Sequence, residues 1–252
     1  MNVYLFDMDG TLTPPRKAMA NDMATAIAKL SLKNKVGIVT GSGLNYLLEQ
    51  TVILGEQFGS NPENIYMMPC NGTKLYRHNS RWRLRLEHEV SMVDAIGYKN
   101  YKKLVAFICM KNSSVINDYD ICPTGTFVQY RGSMVNWCPI GRDSDDDARS
   151  KFVDFDTQNR LREHLRKDLL DSIDFPLEVV LGGSTSLDIY PPGWDKTYCL
   201  RHFKEDKNIW FVGDKCVPPG NDASIFTACA PRSFVTTGPK ETLEIIYDNF
   251  FE

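Results

Sequence analysis

The sequence predicts an α/β protein in which a parallel sheet is interrupted by an α+β insert. Three observations carry this. Short apolar runs that stop at a polar or glycine-rich turn alternate with helical stretches through the first third of the chain. The middle switches to residue-by-residue alternation with one long amphipathic helix. The apolar runs and helices then return from Trp194 onward.

Val3-Tyr-Leu-Phe6 reads as a buried strand delivering Asp7 at its tip. Asp22 to Leu32 has helical spacing, and Lys35 to Thr40 is a second strand, closed by Gly41, Ser42 and Gly43. A helix over about Asn45 to Phe58 and a strand at Ile65 to Pro69 follow, so right-handed crossovers and a parallel sheet are expected. Lys74 to Arg77 and Arg81 to Leu86 alternate like a hairpin. The predicted domains are a first core segment at 1–86, an α+β insert at 87–189 and a second core segment at 190–252, joined by two short connections able to hinge. Within the insert, strands are expected at Leu104 to Met110, Gly125 to Arg131, Met134 to Cys138 and Leu177 to Leu181, with one helix from Thr157 to Asp171. The acids from Asp143 to Asp147 suit a solvated helix start, where they complement the helix dipole. Trp137 is expected in the core, the alternative being stacking on a sugar face. The closing elements are a helix near Lys196 to Phe203, strands at Asn208 to Val212 and Ser233 to Thr236, and a helix from Lys240.

Composition removes several function classes. The 252 residues are 42% hydrophobic, enough for a good core, and 29 basic against 32 acidic residues leave a net charge of −3. Such a field gives no reason to expect a nucleic acid partner, so phosphate chemistry must use local cations. There is no run of about 18 apolar residues and no leader pattern, so neither secretion nor membrane association is expected. The seven cysteines never occur as Cys-x-x-Cys, which disfavours a disulfide framework or a zinc site and points to reduced thiols in a cytoplasm.

The strongest chemical signal is Asp7-Met8-Asp9-Gly10-Thr11-Leu12-Thr13, two carboxylates at a strand end followed by a glycine for a tight turn. A carboxylate can attack phosphorus and form an aspartyl phosphate when a divalent cation screens the charges, and magnesium suits oxygen ligands. The competing calcium-loop reading fails at its twelfth position, where Ala18 stands instead of glutamate. Phe211-Val-Gly-Asp214-Lys215, followed by Asn221-Asp222, again places acids after an apolar strand. Parallel strands share one C-terminal rim, so Asp214 is expected beside Asp7 and Asp9. Lys196 is a candidate to offset phosphoryl charge. Thr40 and Ser42 are candidates to hydrogen-bond phosphoryl oxygens at a helix N-terminus.

These pieces, in this order, resemble the haloacid-dehalogenase-like (HAD-like) superfamily. The resemblance narrows to the eukaryotic-type phosphomannomutases through Asp9-Gly-Thr-Leu-Thr-Pro-Pro-Arg16, Gly125-Thr-Phe-Val-Gln-Tyr-Arg131, Asn136-Trp-Cys-Pro-Ile-Gly-Arg142, and the long block from Ser186 to His202. It implies a Rossmann-like core carrying an α+β cap of type C2b. It further implies Asp7 as nucleophile, Asp9 as acid/base, and Mg2+ on Asp7, the Asp9 backbone carbonyl and Asp214, with Asn221 and Asp222 around that shell. Arg16, Arg131, Arg142, Arg149, Ser186 and Asp188 would surround a sugar phosphate, since guanidinium groups grip phosphate through paired hydrogen bonds. The implied activity interconverts mannose 6-phosphate and mannose 1-phosphate with a hexose 1,6-bisphosphate as activator. A cap-to-cap homodimer is implied as well, with Phe127 at an interface position. A sugar-phosphate phosphatase on the same scaffold is the alternative, and a silent phosphosugar-binding protein is the third reading. Five positions depart from the family pattern: Cys70 before Asn71-Gly72 in place of glutamate, Gly132-Ser133 in place of Asn-Gly, Thr40 in place of glycine, and Ala228 where a carboxylate is expected.

Overall fold

A computed structural model describes residues 1–56 and 60–251. These residues divide into two compact domains, 1–89 with 194–251 and 90–193. The divisions fall at Glu89/Val90 and Gly193/Trp194, a few residues beyond those read from the change in sequence texture, the first because the hairpin strand runs on to Glu89.

The first domain is built on β1 (Val3–Asp7), β2 (Lys35–Val39), β3 (Ile65–Met68), β4 (Lys74–His78), β5 (Leu84–Glu89), β10 (Ile209–Gly213) and β11 (Ser233–Val235). Their order across the sheet is β11-β10-β1-β2-β3-β4-β5. The first five in that order are parallel, and β4 and β5 add an antiparallel hairpin to β3. The chain therefore builds outward from β1 in one direction, then returns to lay β10 against the other side of the same strand. Strand order reverses at β1, and open α/β sheets bind ligands at the C-terminal rim of such a point.

Strand β1 is buried on both faces, which explains its unbroken apolar run. Tyr4 and Phe6 enter one core with Met23, Ile27 and Leu30 of α1 (Asn21–Ser31), Leu47 of α2 (Leu44–Thr51) and Ile246 of α8 (Pro239–Asn249). Val3 and Leu5 enter the opposite core with Phe211, Cys199 and Phe203 of a 3-10 helix (Lys196–Phe203), and Ile225 of α7 (Ala223–Cys229). The helix expected from Asn45 is shorter than read: α2 ends at Thr51 and a 3-10 segment covers Val52–Glu56, while Phe58 lies outside the described residues.

The second domain holds an antiparallel sheet in the order β6-β7-β9-β8, from β6 (Val128–Tyr130), β7 (Val135–Trp137), β8 (Glu178–Gly182) and β9 (Ser186–Tyr190). Its helices are α3 (Met92–Ile96), α4 (Tyr98–Asp118), α5 (Asp146–Asn159) and α6 (Leu161–Ser172). The expected strand at Leu104 to Met110 is wrong: those residues lie inside α4. Its buried positions, Leu104, Ile108, Asn112 and Val115, recur every three or four residues, and the continuous apolar run had hidden that helical stripe. The expected single helix from Thr157 is two helices. Arg160 breaks them with a left-handed backbone at φ 51°, and Asp156 accepts from both the amide (2.8 Å) and the Nε (2.7 Å) of Arg162, holding the corner. Asp145 caps α5 through the amide of Ala148 at 2.8 Å, as its acidic run led one to expect.

Candidate active site

The turn after β1 is closed by its own backbone. The amides of Thr11, Leu12 and Thr13 converge on the Met8 carbonyl, and the Gly10 amide donates to Thr13 at 2.7 Å. Gly10 sits at φ 86°, and a Cβ built there would lie 2.5 Å from Asp214 Oδ2, so glycine serves both the turn and the space Asp214 needs. Gly213, at the end of its strand, leaves space for Asp222, whose Oδ2 lies 2.7 Å from the Cβ position.

Phe6 pairs with Val212 across the sheet, which brings the end of β10 beside the end of β1. Asp7, Asp214 and Asp222 there offer carboxylate oxygens that all lie within 4.8 Å of one another. Lys196, 1% exposed, donates to both Asp7 and Asp222. Asp222 also accepts from the Lys215 amide at 3.2 Å. Burial raises the Asp7 carboxyl above the usual carboxylate range, Lys196 opposes that rise, and Asp222 and Asp214 add to it. Burial also raises Asp214.

Three carboxylates face the buried Lys196 and, 3.9 Å from Asp214, the half-exposed Lys215, so carboxylates outnumber ammonium groups at the site. Asp214 Oδ1 is buried and has no hydrogen-bond partner among the described residues. An orphaned acceptor in an all-oxygen set with this deficit fits a hard divalent cation, which takes oxygen ligands and supplies the missing charge. Asp222, expected around the metal shell, stands beside Asp7 and Asp214, its two oxygens accepting from Lys196 and from the Lys215 amide. Asn221 lies half-buried immediately before it.

The Asp9 side chain turns away from this cluster. Its Oδ1 accepts from the Arg16 amide (3.1 Å), the Tyr46 hydroxyl (2.9 Å) and Gln50 Nε2 (3.3 Å). Burial, then the charge of Asp9, push the Tyr46 phenol well above its usual range, so it remains a proton donor. Tyr46 and Gln50 had no signal in a linear motif; only the approach of α2 to the β1 turn brings them there. Arg16 has a left-handed backbone at φ 62° and an exposed side chain. At the end of β2, the Ser42 amide donates to Thr40 Oγ1 at 3.1 Å and the Ser42 carbonyl accepts from Cys70. The Ser42 amide is therefore engaged within its own turn.

The second domain gathers the other candidates. Asn136 on β7 pairs with Asp188 on β9, and its amide bridges Arg142 and Asp188, accepting from Arg142 at 3.0 Å and donating to Asp188 at 2.7 Å. Arg131 lies 3.6 Å from Asp188 and donates to Gln129 at 3.0 Å. Arg149 donates to Thr185 at 2.7 Å. Ser186, two residues before Asp188 on β9, is buried and shares its face. Arg142 is lowered from the usual guanidinium range by burial first and by Arg131 second, and Arg149 contributes in the same direction. Arg131 and Arg149 lie close enough to Arg142 to lower it, and guanidinium groups of this kind suit a phosphate dianion. Gly182 makes room here: a Cβ would lie 2.6 Å from Asp188 Oδ2. Trp137 points the opposite way, fully buried, with its indole N–H donating to Asn112 at 2.8 Å. It is core, as expected.

A family model described as eukaryotic phosphomannomutase matches residues 23–252. The chain belongs to the eukaryotic phosphomannomutase family. Among its relatives, "Phosphomannomutase 2" of Dictyostelium discoideum is 37% identical over 257 aligned positions, covering 99% of this chain and 97% of that protein. A phosphomannomutase of Saccharomyces cerevisiae is 34% identical and covers 98% of this chain and 94% of its own. Solved structures reach beyond the phosphomannomutases at the level of fold. Plasmodium falciparum IMP-nucleotidase superposes with a TM-score of 0.68 at 16% identity, over 100% of this chain and 70% of that one. The C-terminal domain of Candida albicans trehalose-6-phosphate phosphatase gives 0.60 at 14%, over 97% and 91%. These likenesses establish the HAD-like α/β fold. No helix among the described residues is long and apolar enough to cross a membrane.

Proposed function

We propose that this protein is a Mg2+-dependent phosphomannomutase that interconverts mannose 6-phosphate and mannose 1-phosphate through an aspartyl phosphate on Asp7 and a hexose 1,6-bisphosphate. The observation that carries the proposal is Asp7 itself, a buried nucleophile-type carboxylate at a strand end, clustered with Asp214, Asp222 and Lys196 in a member of this family. Asp7, Asp214 and Asp222 would hold the metal, which when bound screens the negative charges of Asp7 and the phosphoryl group. An Asp7 oxygen attacks phosphorus, and the bond to the sugar oxygen breaks. The leaving oxygen keeps the bonding pair and takes a proton from Asp9. Asp9, now a carboxylate, removes the proton of the hydroxyl that attacks next. Lys196 keeps its proton and balances Asp7 and Asp222 throughout. Arg131, Arg142 and Arg149, with Ser186 and Asp188, would bind the second phosphate and the sugar hydroxyls.

The test supplies mannose 1-phosphate, Mg2+ and a trace of glucose 1,6-bisphosphate, and measures mannose 6-phosphate and free phosphate separately. Mannose 6-phosphate formation that depends on the bisphosphate is the expected result. Free phosphate alone would replace the mutase with a sugar-phosphate phosphatase. Unchanged turnover in Asp7→Asn would remove the nucleophile.

A further inference from the structure

Helix α2 carries Tyr46 and Gln50 one turn apart, and both side chains end on the same oxygen of Asp9. The Arg16 amide is a third donor to that atom, so Oδ1 accepts three hydrogen bonds and Oδ2 accepts none of them. Gln50 cannot turn its amide over freely. Its Oε1 receives the Thr13 hydroxyl at 2.6 Å, which leaves Nε2 as the end facing Asp9. Thr13 is fully buried and belongs to the turn after β1, where its amide donates to Met8 at 3.0 Å. The chain of contacts thus starts and finishes in the segment that holds Asp7.

We propose that Tyr46, seconded by Gln50, is a positioning residue that pins Asp9 through Oδ1, so that Oδ2 alone exchanges a proton with the substrate oxygen. This rests on the acid/base role of Asp9 proposed above. A carboxyl group has two chemically equal oxygens and rotates about its last torsion; three donors on one of them make the two unequal. The oxygen that already accepts three hydrogen bonds has no lone pair left for a proton, so the transferable proton sits on the other. Small misplacement of a reacting group costs on the order of 100-fold in rate, which is the scale on which such pinning acts.

The experiment separates proton transfer from everything else by leaving group. A sugar oxygen must be protonated as it departs, whereas p-nitrophenolate departs without a proton. In Tyr46→Phe, kcat with mannose 1-phosphate is expected to fall by roughly 10- to 100-fold with little change in KM. The pre-steady-state burst of p-nitrophenolate from p-nitrophenyl phosphate is expected to stay within about twofold, since it does not use Asp9 as an acid. Gln50→Met is expected to show the same selectivity at smaller magnitude, because its contact is the longer one. Asp9→Asn serves as the reference for the underlying chemistry. If Asp9→Asn slows both leaving groups alike, the acid/base assignment of Asp9 fails. If Asp9→Asn discriminates between them but Tyr46→Phe slows both equally, or slows neither, the positioning role fails while Asp9 keeps its assignment.

Discussion

Replacing Lys196 with methionine removes the only ammonium bonded to Asp7 and Asp222 among the described contacts, while nearly preserving its volume. Lys196 is 1% exposed, so water cannot substitute for it. Breaking one side of a buried ion pair costs about 3–5 kcal/mol, because the carboxylates left behind are desolvated and uncompensated. For a chain of this size each kcal/mol moves Tm by about 2–4 °C, so the expected loss is roughly 6–20 °C in EDTA. The assay is thermal unfolding followed by circular dichroism, with EDTA and with saturating Mg2+. The variant's carboxylate cluster carries a larger uncompensated charge than the parent's, so a divalent cation should raise its Tm by more than it raises the parent's. Occupancy at 100 times Kd contributes about 2.7 kcal/mol by mass action, enough to restore much of the loss. A Tm in EDTA within about 2 °C of the parent would refute the charge accounting on which the metal assignment rests.

Other expectations follow from single contacts. Gly10→Ala imposes a left-handed alanine, costing about 1–2 kcal/mol, and drives a methyl group against Asp214. The Mg2+ concentration for half-maximal activity should rise at least about tenfold, since 1.4 kcal/mol is a factor of ten. In metal-free protein the raised Asp7 carboxyl makes stability depend on pH in a set direction. Its folded value lies above its unfolded one, so its contribution is fully present below the ordinary carboxylate range and is lost as pH rises through the elevated value. Tm in EDTA should therefore decline from mildly acidic to alkaline pH, and Mg2+ should flatten the profile. Gly182→Ala pushes Asp188 off Asn136 and Arg131; KM for mannose 1-phosphate should rise about tenfold, with the p-nitrophenolate burst unaltered. Trp137→Phe strips the buried Asn112 Oδ1 of the indole N–H it accepts, and urea unfolding should report a loss of about 1–3 kcal/mol.

The core of the first domain was legible because its strands are buried on both faces and stop abruptly at the residues that do chemistry. Val3 to Phe6 followed by Asp7, and Phe211 to Gly213 followed by Asp214, announce strand, rim and site together. The insert was harder, for a physical reason. Leu104 to Met110 is apolar without a break, and a run of that length fits a buried strand as well as a segment of helix; the helix is identified only by stripe positions outside the run, Asn112 and Val115. The break at Arg160 depends on Asp156 meeting Arg162, a contact that exists only once both turns have formed. How Asp222 reaches the cluster was hidden because its distance in sequence from Asp214 conceals a loop that folds straight back, with its amide donating to the Lys215 carbonyl at 3.1 Å. Tyr46 and Gln50 could not be found from spacing, since a tyrosine and a glutamine on an amphipathic helix look like ordinary surface residues until Asp9 is opposite them.

Strand β1 also dictates when the catalytic apparatus can come into being during translation. Its first neighbour, β2, follows closely, but Lys196 lies 189 residues after Asp7 and β10 later still. Chains are made from the N-terminus, and domains fold as units during synthesis. Until the ribosome has released the far segment, the nascent polypeptide exposes one flank of its central strand and holds an unneutralised aspartate. The intervening 90–193 segment has its own sheet and can reach its native shape in that interval, so the second domain is free to fold before the one that began first.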